Sequence, residues 1–342
     1  MLKTRPFAVL CALSAGFAFA PNVNAQSGMA VAVNPTTNTI YVSNANAELV
    51  DVINGSTNEI TTTLFNGDTP GAITVNPTTN TVYIHDADIV DGDIISDNIY
   101  GVDGSSNQVV SQCASLWGGP VVDPSTNLLY VNWYQDGTGY IDAINPSTCT
   151  VESATTLPDG DEPGSFSINP TTNTLYATDA NHLQYVDAVN LSTSAVTPIY
   201  VAGDGACATA VNQVTNIIYS DFCNGRELEQ IIGSLNGVTA PPIGLSGETQ
   251  GIAVNTATNT VYVSMSNGEY TDGTVAVVNG ATWKLTGYIT VGITDCNYPI
   301  GSTCQNIAVN PTTNMIYVTS EYSDTLSVIN GVTNTVVATI TL

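Results

Sequence analysis

Basic residues are nearly missing from this chain. Only four of its 342 residues are Lys or Arg and two are His, against 29 Asp and Glu, for a formal charge of −25. So anionic a molecule repels phosphate backbones and acidic lipid headgroups, which excludes nucleic acid and anionic membrane surfaces as partners. Charge of either sign makes up only 10% of the chain, too little for a coiled coil or helical bundle. No run outside the N-terminal region approaches the about 20 apolar residues of a membrane span, so no membrane insertion is expected. Catalytic signatures are missing as well: there is no Gly-x-Ser-x-Gly, no His-Glu-x-x-His, no phosphate-binding loop and no Cys-x-x-Cys-His. What remains is 43% hydrophobic, ample for a core, with a strand-and-turn vocabulary of Val, Thr, Tyr, Asn and Gly.

Residues 1–25 read as a signal peptide. Lys3 and Arg5 precede an apolar stretch over Phe7–Phe19, and Val23 and Ala25 place small residues before a cleavage site. The mature chain, 26–342, is expected to be secreted or periplasmic, or held at the cell surface. It retains Arg226 and Lys284 as its bases and six cysteines, which an oxidising compartment allows to pair.

One segment recurs seven times: AVNPTTNTIYV at Ala32–Val42, then Thr74–Ile84, Val121–Val131, Ser167–Ala177, Ala210–Ser220, Ala253–Val263 and Ala308–Val318. Each repeat reads as four short strands, A to D. In the first these are about Met29–Val33, Thr39–Ser43, Leu49–Ile53 and Glu59–Leu64. Similar turns join A to B (Asn34 to Asn38) and C to D (Asn54 to Asn58). A leading Asn folds its side chain onto the backbone ahead, Pro presets φ, and a closing Asn tolerates the left-handed conformation. A Tyr recurs in every strand B (Tyr41, Tyr83, Tyr130, Tyr176, Tyr219, Tyr262, Tyr317), as expected of packing between repeats.

Four antiparallel strands in a repeat of this length make a propeller blade. The expected fold is all-β, a seven-bladed β-propeller. The mature chain starts at strand A and ends in a strand D, so every blade is continuous and no strand is exchanged between the termini. Runs such as Tyr41-Val42-Ser43 and Tyr317-Val318-Thr319, with Val52-Ile53-Asn54 and Val328-Ile329-Asn330, make the chain resemble the YVTN-repeat family of seven-bladed propellers, related to surface-layer and YncE-like proteins. That resemblance implies the fold over residues 28–342 and leaves activity open, because such propellers serve as scaffolds, binding modules and occasional enzymes.

The A–B and C–D turns share one face of the disc, and the B–C and D–A loops share the other. Seven acidic residues are assigned to strands and turns (Asp51, Glu59, Asp103, Asp123, Asp142, Glu152, Asp187) and all the others to the loop face. The densest run follows strand B of blade 2: His85, Asp86, Asp88, Asp91 and Asp93, then Asp97. Alternating carboxylates around a Gly suit calcium or magnesium, although the pattern is not the helix-loop-helix calcium motif and is described more simply by a solvated acidic loop. A second cluster is Asp159-Gly160-Asp161-Glu162. Trp117, Trp133 and Tyr134 group on the same face and suit a carbohydrate, or shield the blade end. Trp283, in a C–D turn, reads as structural, and Arg226 as pairing with local carboxylates.

The two histidines, His85 and His182, both follow a strand B and lie two blades apart. Among the cysteines, Cys207 with Cys223 and Cys296 with Cys304 are expected to pair. Cys113 and Cys149 remain by elimination, but they are assigned to opposite ends of strands about 17–20 Å long, beyond the about 7 Å that a disulfide spans. That third bridge is expected to be absent, unless the strand register there differs from this assignment. The sequence therefore points to a non-enzymatic binding scaffold presenting an acidic face to a cation, a cationic protein or a cell-surface carbohydrate. The alternative is a metal-assisted lyase or hydrolase using His85 and His182 at the channel mouth.

Overall fold

The computed structural model describes residues 29–65, 69–90, 93–114, 118–158, 160–202, 205–222, 225–268, 271–292 and 306–342. Of residues 88–90 and 93–96 only the backbone is described. Seven antiparallel sheets follow one another, each ordered A-B-C-D along the chain, and among the described residues no strand is shared between the first and last blades. Blade 1 runs Met29–Asn34, Thr39–Asn44, Leu49–Asn54 and Glu59–Leu64, within a residue of expectation. Strand A of blade 1 packs on strands A and B of blade 7. A cluster of Val31, Ile40, Val42 and Ile53 with Tyr317, Leu326, Val328 and Ile340 closes the ring. Among the described residues the only helix is the 3-10 turn Glu321–Ser323, and none is long and apolar enough to cross a membrane.

The seven strand-B tyrosines are all buried, and each lies in the cluster shared with the following blade: Tyr41 against Ile73 and Ile84, for example, and Tyr262 against Ile307 and Ile316. The turns carry a second set of junctions. The leading Asn of a blade accepts backbone N–H groups ahead of it, as Asn34 Oδ1 does from Thr36 at 3.0 Å, while its Nδ2 donates to the closing Asn of the next blade. These bonds are Asn34 to Asn80, Asn76 to Asn127, Asn169 to Asn216, Asn212 to Asn259, Asn255 to Asn314 and Asn310 to Asn38, at 2.6–2.8 Å. The closing Asn residues sit at φ 51–58°, the left-handed conformation that Asn tolerates. At Gly55 the C–D turn comes so close to this belt that a Cβ would lie 2.5 Å from Asn38 Oδ1, which is why Gly stands there.

The structure corrects the sequence reading in several places. The acidic segment after strand B of blade 2 is not a loop: strands Thr81–Val90 and Asp93–Asp103 pair as one long hairpin. The outer strand of blade 5 is broken into Gly237–Val238 and Ile243–Gly244, because Pro241 and Pro242 between them have no N–H for the ladder. Acidic residues assigned to the loops stand in strands, and Asp86, Asp97, Asp179, Asp221 and Glu229 are buried.

The bridge expected to be absent is present: Cys113 and Cys149 are bonded, with Cα atoms 5.3 Å apart. Both occupy their expected positions. Cys113 is the penultimate residue of the outer strand Gln108–Ala114, and Cys149 closes the C–D turn of blade 3 at φ 54°. What fails is the picture of strand ends at two flat levels. Adjacent strands rotate by about 20–25°, so three steps from A to D turn the outer strand by about 60–75°, and it crosses the rim toward its neighbour. Cys149 Sγ lies 3.3 Å from the Gln112 carbonyl and Cys113 Sγ 3.7 Å from that of Pro146, which puts strand end and turn side by side. Cys207 is also disulfide-bonded. Its expected partner Cys223, and the pair Cys296 and Cys304, lie outside the described residues.

Candidate functional site

The loop face gathers its chemistry where blade 4 meets blade 3. Asp179 ends strand B of blade 4, Thr174–Asp179, and is buried. Its Oδ1 accepts the backbone N–H groups of Glu162 at 3.1 Å and Asn181 at 3.0 Å. Its Oδ2 lies 2.9 Å from His182 Nδ1. Asp161, in the D–A loop entering the blade, brings its Oδ1 to 2.9 Å from the same nitrogen. Gly160, at φ 91°, lets that loop pass against the imidazole: a Cβ there would sit 3.3 Å from His182 Cε1. The three donor atoms lie within 4.8 Å of one another, and the His182 side chain is 51% exposed, so the cluster opens to solvent on its imidazole side.

Ionisable groups are crowded here. Burial first, then a shared hydrogen bond with Asp179 and its charge, push Asp161 up to about 6. The hydrogen bond that His182 donates to Asp179 raises the imidazole, and burial raises Glu162. Beneath the cluster Asp187, in strand C (Tyr185–Asn190), is pushed up to about 7, mainly by burial and then by the charges of Asp161 and Asp179.

The candidates of blade 3 form the flank of this site. Asn181 Nδ2 donates to Tyr134 Oη at 3.1 Å and to the Gly160 carbonyl at 3.0 Å. Trp133 stacks on Tyr140, with centroids 3.9 Å apart and planes at 11°, and its Nε1 donates to Asp142 Oδ2 at 3.0 Å. One indole face is therefore covered by the protein itself. In blade 2, His85 Nε2 lies 2.8 Å from Asp97 Oδ1 with both side chains buried. His85 and His182 are thus held by separate carboxylates on separate blades. Asp86, next in the same strand as His85, is buried. The side chains of Asp88 and Asp93, and all of Asp91 and Trp117, lie outside the described residues. Trp283 stacks on Tyr219 and donates to the Pro241 carbonyl at 3.0 Å, a packing role. Arg226 approaches Glu248 of the next blade at 3.9 Å, both exposed.

Sequence reading noticed Asp161 and His182 singly but not their meeting with Asp179 and Asp187. The one local signal was Asp179-x-x-His182, which puts carboxylate and imidazole at the exit of a single strand.

No family model matches the chain, and no curated protein matches it. Among solved structures it is similar to a chain described as Kuenenia stuttgartiensis hydrazine synthase, with a TM-score of 0.68 at 15% identity, over 92% of this chain and 99% of that one. The fold is a seven-bladed β-propeller. A likeness at that identity speaks for the architecture alone.

Proposed function

We propose that the chain is an exported binding scaffold of the YVTN-repeat kind, in which a rigid seven-bladed ring offers its loop face to a cationic ligand. The observation that carries this reading is the recurrence of exposed acids on that face. Glu48, Asp136, Asp272 and Asp324 stand exposed in the B–C loops of blades 1, 3, 6 and 7, around the cluster of blade 4. With only Arg226 and Lys284 as bases in the mature chain, few of these carboxylates have an internal partner. The bonds across the blade junctions hold them on a fixed frame, so a cationic peptide or protein meets a preorganised field. The N-terminal segment and the cysteine pairing support export. The separate anchoring of His85 and His182 favours a scaffold over the lyase or hydrolase alternative, which needs both at one ligand.

The test is capture of a lysine-rich peptide by the immobilised mature chain. Binding should be lost as salt approaches about 1 M, where the Debye length is about 3 Å. It should weaken when Glu48, Asp136, Asp272 and Asp324 become amides together. Capture of a neutral oligosaccharide in place of the peptide contradicts the reading.

A further inference from the structure

The repeat supplies an internal control for the blade 4 cluster. In blade 3, Val131 pairs with Asp142 and Trp133 with Tyr140, so Trp133 and Asp142 share one sheet face as diagonal neighbours. Trp133 Nε1 donates to one oxygen, Oδ2, of that half-buried carboxylate. In blade 4 the equivalent register is Ala177 with Asp187, and the residue in the place of Trp133 is Asp179. An acceptor has replaced the donor. Asp187 is 1% exposed, and both its carboxylate oxygens lack a hydrogen-bond partner. It projects from the same sheet face as Asp179, diagonal to it across small Ala177, toward the Asp161–Asp179–His182 group. An unsatisfied buried carboxylate of this kind marks a missing donor, an ion or a water held by one.

We propose that Asp161, Asp179 and His182 bind a divalent first-row transition metal ion such as zinc, whose bound water donates its hydrogen bond to Asp187. This deepens the reading of the loop face as cation-binding and rests on the same surface. Three protein ligands with an open position for water match zinc sites that remain accessible. A donor set mixing imidazole with carboxylates favours such ions over calcium and magnesium, which take oxygen alone. Nδ1 of His182, the nitrogen facing both carboxylates, is the ligating atom, and Nε2 is left toward solvent. The metal's charge relieves the crowding of carboxylates around Asp187.

The experiment is calorimetric titration of chelator-treated mature protein with zinc, manganese, calcium and magnesium salts. A single site should appear, tighter for zinc than for calcium or magnesium, and saturation should raise the melting temperature. Asp187→Asn should leave the metal-free protein folded and weaken zinc by about tenfold or more, as loss of an outer-shell partner does. His182→Gln, at a half-exposed position, should do the same or more. The exposed Glu59→Gln of blade 1 should change nothing. Zinc affinity unchanged in both Asp187→Asn and His182→Gln, or tighter binding of calcium than zinc, overturns the proposal. Loss of zinc binding with lysine-peptide capture intact removes this inference alone. Zinc binding without peptide capture upholds it and removes the broader reading.

Discussion

Asn310 Nδ2 in blade 7 donates to Asn38 Oδ1 in blade 1 at 2.7 Å, so the first and last blades are joined by the same bond that links consecutive blades. The exception among the described junctions is instructive. Blade 3 carries Asp123 in the place of the donating Asn, and its carboxylate accepts from Ser125 and Thr126 hydroxyls at 2.7–2.9 Å. A carboxylate has no proton to give to the next blade.

Asn310→Asp should therefore destabilise the ring by about 1–3 kcal/mol, because it sets a carboxylate against the Asn38 carbonyl oxygen. Asp123→Asn supplies the missing donor and should be neutral or stabilising by about 0.5–1.5 kcal/mol. Urea melts of the two variants check both signs. Equal midpoints for Asn310→Asp and parent would show that the belt contributes nothing.

The Cys113–Cys149 bridge closes 36 residues, and in the chain-entropy description a loop of that size is worth about 3–4 kcal/mol. Cys149→Ser should lower the urea midpoint accordingly, and the reduced parent should fall at least as far. A Cys149→Ser midpoint equal to that of the oxidised parent would mean that the bridge does not form in solution.

Acid should stabilise the metal-free protein. Burial pushes Asp187 and Asp221 up to about 7 and Asp161 up to about 6. Between their ordinary value near about 4 and these raised values, the folded chain binds protons that the unfolded chain has released. Stability is then fully present on the acid side and falls as pH rises through the window. His182, raised by Asp179, acts in the same direction. Asp103, lowered by its bonds from Ser106 and Ser105, loses its contribution only in stronger acid. Melting temperature should rise between about pH 7.5 and about pH 5, and Asp187→Asn should flatten that rise while raising the neutral-pH value. A steady decline over the same interval would contradict this account.

The parts of the fold legible in the sequence are those coded within one repeat. The Asn that folds onto the backbone ahead, the Asn at positive φ and the Tyr of strand B are decided by neighbours a few residues away, and so strand bounds and blade number could be read directly. Geometry that accumulates across strands could not. The tilt that brings Cys113 to Cys149 is a property of the whole sheet, and the hairpin carrying His85 and Asp97 depends on pairing that continues past the repeat. The blade 4 cluster was hidden for a related reason. Asp161, Asp179, His182 and Asp187 come from a loop, two strands and the link between them, and only the register of Ala177 with Asp187 aligns them. The orphaned state of Asp187 shows only in the folded chain, and Trp133 beside Asp142 one blade earlier marks the kind of donor it lacks.

The most direct test of the central claim is a hydrogen-exchange footprint of the mature chain with and without a lysine-rich peptide. The account predicts protection in the B–C and D–A connections, including 160–162 and 180–184, with the Asn-belt turns unchanged. Protection confined to the A–B and C–D turns would contradict it.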